Sequence, residues 1–317
     1  MIGLELIYWC MGLLTGGVAV VNARDASNPR RWNNTAFWGL YAVTFFASSW
    51  LPHLVTGLIV IAMVVVASVA KLGQGTRESA SHEARAASAA RWGNRLFIPA
   101  LTIPAVTLLG SWLLKGVRVE GVLLVDPRQV SIVALALATL VALVLAMAML
   151  RPAASAPLVE ARRLMDSVGW AAVLPQMLAA LGALFAVAGV GRVIAELAER
   201  WIPLGSPLVA VVTYTVGMAL FTMIMGNAFA AFPVMTAGIG LPLVMLRFGG
   251  DPVVMSAVGM LSGFCGTLMT PMAANYNIVP AVLLELPDQY AVIRAQIPTA
   301  LLLLVANTAI MYFFVYP

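Results

Sequence analysis

Charge is what this 317-residue sequence has least of: 18 Lys and Arg and 13 Asp and Glu, 10% of the chain. An average soluble domain is about 25% charged, so this composition does not build an ordinary solvated surface. Cysteine is scarcer still. Cys10 and Cys265 both fall in apolar stretches, without a C-x-x-C or a Cys/His neighbour, which argues against a disulfide framework and against thiolate metal ligation. Of the two histidines, His82 reads as a solvated loop residue, and His53, beside Pro52, as a lone structural one. There is no H-E-x-x-H, no Ser/His pair and no paired Asp within an apolar run. The acids and bases of an intramembrane enzyme are therefore missing, and the chain is read as a non-enzyme. Rings of charge and repeated filter motifs, the marks of a channel, are missing too. The net charge of +5 is spread as a membrane protein spreads its loop charges, which is no footprint for nucleic acid.

What fills the sequence instead is hydrocarbon. Hydrophobic residues make up 62% of it, and the mean hydropathy is +0.97. Apolar runs of the ~20 residues that cross a ~30 Å hydrocarbon core recur from end to end. The fold class is all-α and polytopic, with spans expected at 2–21, 35–51, 53–71, 96–115, 129–150, 168–191 and 295–316. Residues 1–21 lack a basic leader and a small-residue cleavage site, so they read as a retained span. The Ala- and Ser-rich stretch 73–94 reads as a surface helix or linker. Arg24, Arg30, Arg31, Lys71, Arg77, Arg85, Arg91, Arg95, Arg151, Arg162, Arg163 and Arg294 all fall in loops on one side of this topology. The positive-inside rule makes that side cytoplasmic and places both termini outside a bacterial inner membrane. Residues 1–150 form a scaffold-like group of five spans, and residues 151–317 a second group with different grammar.

That grammar is interruption. Residues 252–286 would run about 50 Å as one helix, yet "GFCGTLMTPMAANYNIVPA" (263–281) sets Pro271 and Pro280 among Gly, Thr and Asn. Each proline removes an amide donor and disfavours helix just before it. The reading is a discontinuous helix: a first half to about Thr267, an unwound stretch 268–277, then a second half. Irregular backbone at membrane depth survives only where protein buries it or where it lines a polar cavity. The alternative is a kinked helix whose Asn and Thr bond to neighbouring helices. Upstream, "MIMGNAFAAFPVM" (223–235) joins two apolar arms, 207–225 and 228–246, through an uncharged Gly226-Asn227 turn. A re-entrant hairpin with its tip inside the protein fits, and two full spans joined by an aqueous turn remain the alternative. Candidate binding residues are Gly226 and Asn227 at the tip, with Gly266, Thr267, Thr270, Pro271, Asn275 and Asn277 at the break. Glu285 closes the second half-helix and reads as interfacial, with proton coupling as its minority role. The Met-rich stretches read as packing.

The order of apolar span, hairpin with Asn at its tip, helix broken around Thr-Pro…Asn, and final span resembles one repeat of the ion-transporter superfamily, which includes the divalent-anion/sodium symporters. Within it the chain looks like a bacterial inner-membrane family of unknown function carrying both quoted motifs. The resemblance implies an elevator-like secondary transporter, with Asn227 at the hairpin tip facing Thr270, Pro271 and Asn275. It implies no cofactor, and a sodium ion or a proton as coupling ion; sodium would use Asn227, Thr270 and Asn275. The absence of a carboxylate inside the spans favours sodium. The symporters' Ser-Asn-Thr tip is here Gly226-Asn227-Ala228, which removes two hydroxyls and weakens the inference to sodium and to dicarboxylates. Only one such repeat is evident. The resemblance thus implies a partner, a second membrane subunit carrying the other repeat or a homo-oligomer, besides lipid and a small-molecule substrate. By association it implies a split permease for 5-oxoproline or a related carboxylate. A non-transporting structural or regulatory subunit is the rival reading.

Overall fold

The computed structural model describes residues 3–76, 80–119, 122–201, 205–284 and 286–316. Among them, eight helices are long and apolar enough to cross a membrane, and the chain is an all-α multi-pass membrane protein apart from one two-residue strand pair. It divides into two compact units, residues 1–166 and 167–317.

In the first unit, α1 (Leu4–Ala23) and α2 (Arg31–Phe46) run antiparallel. A Cβ at Gly12 would meet the Phe46 ring at 2.8 Å, while Gly16 faces Ala42 and Thr35 Oγ1 reaches the Ala19 carbonyl. The second span begins earlier than expected, at Arg31. Helix α3 (His53–Val65) runs on as a π-helical turn to Lys71. Ser81 caps α4 (His82–Trp92) by accepting from the Ala84 amide, so the Ala-rich stretch is a helix. Helix α5 (Phe97–Leu113) stays unbroken across Pro104 and packs on α6 (Val130–Leu150), where a Cβ at Gly110 would meet the Ala134 methyl at 3.0 Å. Strands β1 (Arg118–Val119) and β2 (Val122–Leu123) pair between them. Helix α7 (Ala156–Val168) runs across the boundary between the units.

In the second unit, the span expected at 168–191 is divided. Helix α8 (Leu174–Val187) ends at Gly189, whose φ of +71° is left-handed, and amphipathic α9 (Val190–Trp201) follows. The hairpin arms are α10 (Pro207–Met225) and α11 (Ala228–Met235), which continues as a π-helix to Arg247. Helices α12 (Pro252–Leu268), α13 (Ala274–Leu283) and α14 (Ala291–Phe314) complete the chain. Small residues set the crossings, as they do where lipid removes the hydrophobic drive between helices. On α12, Gly259 abuts the Tyr214 ring, Gly263 abuts Met218 and Thr222, and Gly266 lies against the Ala219 carbonyl. Gly182 lies against the Ala230 backbone and Gly191 against Gly238, which draws α8 and α9 onto the second arm. Tyr214, Met218, Met235, Ile239, Met255 and Met311 fill the core between them. The methionines there are packing, as their sequence context indicated.

Candidate functional site

Both interruptions are real, and they meet. Helix α10 ends at Gly226 because its φ of +72° suits glycine, and the Gly226 amide closes the turn on the Thr222 carbonyl at 2.7 Å. Asn227 then starts α11, its Oδ1 accepting from the Phe229 amide at 2.8 Å. A Cβ at Gly226 would sit 2.7 Å from the Met272 carbonyl oxygen, so the tip lies flush against the stretch that separates α12 from α13. Thr270 ties the two together: its hydroxyl donates to the Met223 carbonyl at 2.8 Å and accepts from the Met272 amide at 3.2 Å.

The unwound stretch is shorter than the sequence indicates, 269–273 rather than 268–277. The reason is Asn277. Placed in the first turns of α13, its Nδ2 donates to the Thr267 and Thr270 carbonyls at 2.9 and 2.7 Å. The first is a last-turn carbonyl of α12, which has no intrahelical partner, and the second belongs to the unwound stretch. Pro280 sits inside α13, within the expected second half-helix.

The expected site residues divide into two groups. Gly226, Gly266, Thr267, Thr270 and Asn277 are buried, and Asn227 is half-buried. Pro271 and Asn275 are exposed, as are Met272 and Tyr276 beside them. Two buried oxygens near the tip, Thr222 Oγ1 and Asn277 Oδ1, lack a hydrogen-bond partner. No side chain caps the start of α13, and the Tyr276 amide turns back to the Ala273 carbonyl at 3.0 Å. Thr222, one turn before the tip, was missed in the sequence, where an isolated Thr in an apolar arm carries no signal. Glu285 lies outside the described residues.

A hollow of this unit lies elsewhere. An apolar groove of about 770 Å³ between α9 and α10 is lined by Ile194, Leu197, Val212, Leu220 and Phe221, and by none of the expected site residues. Its walls suit hydrocarbon, not a carboxylate.

Outside the expected spans, carboxylates are nonetheless buried: Asp25 and Asp166 are 2% and 5% exposed, with Arg162 at 1%. They look like loop charges in the sequence because each lies at or beyond a span end. Among the described residues, no group of three or more His, Cys, Asp or Glu is placed to hold a metal ion.

A family model described as "Protein of unknown function (DUF979)" matches residues 5–316. The chain belongs to that family. No curated protein and no solved structure matches it.

Proposed function

Taking that membership as the premise, we propose that the chain is a subunit of a secondary transporter that moves a small carboxylate-bearing solute across the bacterial inner membrane, with its termini outside. The observation that carries the reading is the docking of the hairpin tip on the helix break, Gly226 against Met272 and Thr270 onto Met223. Helix starts at Asn227 and at Ala273 then lie beside one contact, and helix N-termini favour anions. Unpaired buried oxygens at Thr222 and Asn277 add polar capacity that a purely structural joint does not need. The exposed Pro271, Met272, Asn275 and Tyr276 leave one side of this contact open. That is consistent with a site completed by a second subunit or a second copy. Helix α5 keeps its proline without breaking, so the first unit offers no match to this break there. The resemblance to the symporters makes ion coupling and elevator-like movement part of the proposal, and 5-oxoproline the first solute to try.

The test is uptake of labelled 5-oxoproline and related carboxylates by cells lacking the chain, complemented with wild type or with Asn227→Ala. Native mass spectrometry of the gently purified protein identifies any partner to co-express. The reading expects restored uptake from wild type and none from the variant at equal membrane abundance. A structural subunit would be indifferent to Asn227→Ala, and full uptake from that variant would overturn the site.

A further inference from the structure

The first unit contains a second polar centre, remote in sequence from the hairpin and its break. Three segments at the ends of spans converge on it. From the turn after α1, Asp25 accepts from the Ser27 amide and hydroxyl through Oδ1, and from Arg162 Nη1 through Oδ2 at 2.6 Å. From α7, Asp166 Oδ1 accepts from Trp38 Nε1 at 2.8 Å and from Asn22 Nδ2 at 3.1 Å. The segment after α3 closes over them. Asn34 binds both the amide and the carbonyl of Gly73, and Asn28 binds the same carbonyl. Gly75 is pressed so closely onto Asp25 and Arg162 that a Cβ there would overlap both.

Among the described residues, charge does not balance inside this enclosure. Arg162 is hydrogen-bonded to Asp25 and stands 3.8 Å from Asp166 Oδ2, beyond hydrogen-bond reach. All three side chains are 1–2% exposed. With both carboxylates ionised, one guanidinium serves two negative charges, and a buried net charge is strongly disfavoured unless it is compensated. Among the described residues, Arg162 is the charge that acts on Asp166. Leu72–Thr76 carries none, Arg30 turns to the Leu72 carbonyl, and Arg163 on α7 pairs with Glu160. On α2 the Tyr41 ring lies 6.2 Å from that of Trp38.

Two acceptors complete the pattern: Asp166 Oδ2 and Asn22 Oδ1 are both buried without a hydrogen-bond partner. They belong to the same pair of residues whose other atoms, Asn22 Nδ2 and Asp166 Oδ1, are already bonded. An amide and a carboxylic acid form a ring of two hydrogen bonds, and only one of the two exists while the carboxyl is ionised.

We infer that Asp166 is a proton-binding site. A proton from water forms an O–H bond at Oδ2, the group becomes a donor towards Asn22 Oδ1, and the net charge of the cluster falls to zero. The guanidinium 3.8 Å away repels a metal cation from the same place, whereas a proton leaves no added charge behind. Use of this proton as the coupling ion rests on the transport reading; its binding does not.

Infrared difference spectroscopy on the purified full-length protein, titrated from about pH 5 to about pH 9, reads the site directly through the C=O stretch of a protonated carboxyl. Wild type should show a reversible carboxyl band that is absent from Asp166→Asn, a variant that keeps an acceptor for Trp38 and Asn22. Asn22→Ala retains Asp166 and should shift the band, which covers the case in which Asp166→Asn does not fold. A folded wild type with no titrating band, or a band unchanged in both variants, overturns the inference. So does a band that responds to a sodium step at constant pH. An intact band beside absent uptake would count against the transport reading alone.

Discussion

The Asn277 carboxamide bridges the helix break, holding the Thr270 carbonyl at 2.7 Å and the Thr267 carbonyl at 2.9 Å. One side chain thus fixes the end of α12 to the start of α13, and it is fully buried. Its own Oδ1 has no partner, so the residue gives two bonds and leaves one acceptor unmet.

That asymmetry orders two substitutions. Asn277→Leu leaves two carbonyls unpaired but removes the unmet acceptor. Each buried group left unsatisfied costs about 1–3 kcal/mol. Asn277→Asp sets a carboxylate against the same carbonyls and should destabilise more than Leu does. Thermal unfolding in detergent, followed by loss of the monodisperse peak, checks the order wild type, then Leu, then Asp. The reverse order for the two variants would mean that Asn277 does not act as the donor clamp.

The glycines of α12 allow a similar contrast. Gly266 lies against the Ala219 carbonyl, with no space for a methyl group, whereas Gly39 on α2 has nothing within 4 Å of the place its Cβ would take. Gly266→Ala must push α10 from α12, a backbone displacement of the kind that costs about 1–3 kcal/mol. Gly39→Ala should be neutral or stabilising, by about 0.5–1 kcal/mol at most. Unfolding temperatures of the two variants measured side by side test whether close backbone approach, rather than glycine itself, is what α12 requires.

The break was legible in sequence because Pro271 and its Gly, Thr and Asn neighbours occur where a lipid-facing helix gains nothing from them. Its length was not legible. The proline pair marked where helix is disfavoured, but helix resumes at Ala274, six residues before Pro280, with Asn277 bonding backwards to Thr267 and Thr270, a contact that local propensity does not contain. The hairpin turn was legible from Gly226-Asn227, while its docking on Met272 required tertiary structure. The buried charges were hidden for a different reason. Arg162 reads as one of the loop charges, and Asp25 and Asp166 lie outside every expected span. Their burial depends on Gly73 and Gly75 folding back from a span more than 40 residues away from either partner in sequence.

The Asp25–Arg162 pair provides the last prediction. Removing one partner of a buried pair strands the other, at a cost of about 3–5 kcal/mol. Arg162→Met leaves Asp25 and Asp166 ionised together with no guanidinium, so it should be the most damaging change in the first unit. Asp25→Asn in the same chain removes one of those charges and returns the cluster to the net charge it has in wild type. The double variant Asp25→Asn/Arg162→Met should therefore unfold at a higher temperature than Arg162→Met alone. If the two losses add, Asp25 and Arg162 do not share their charge, and the excess negative charge assigned to Asp166 would have to be assigned elsewhere. If the double variant recovers part of the loss, as the 2.6 Å contact requires, the size of that coupling measures how tightly Arg162 is held by Asp25. The tighter it is held, the less it compensates Asp166, and the more that carboxyl depends on a proton.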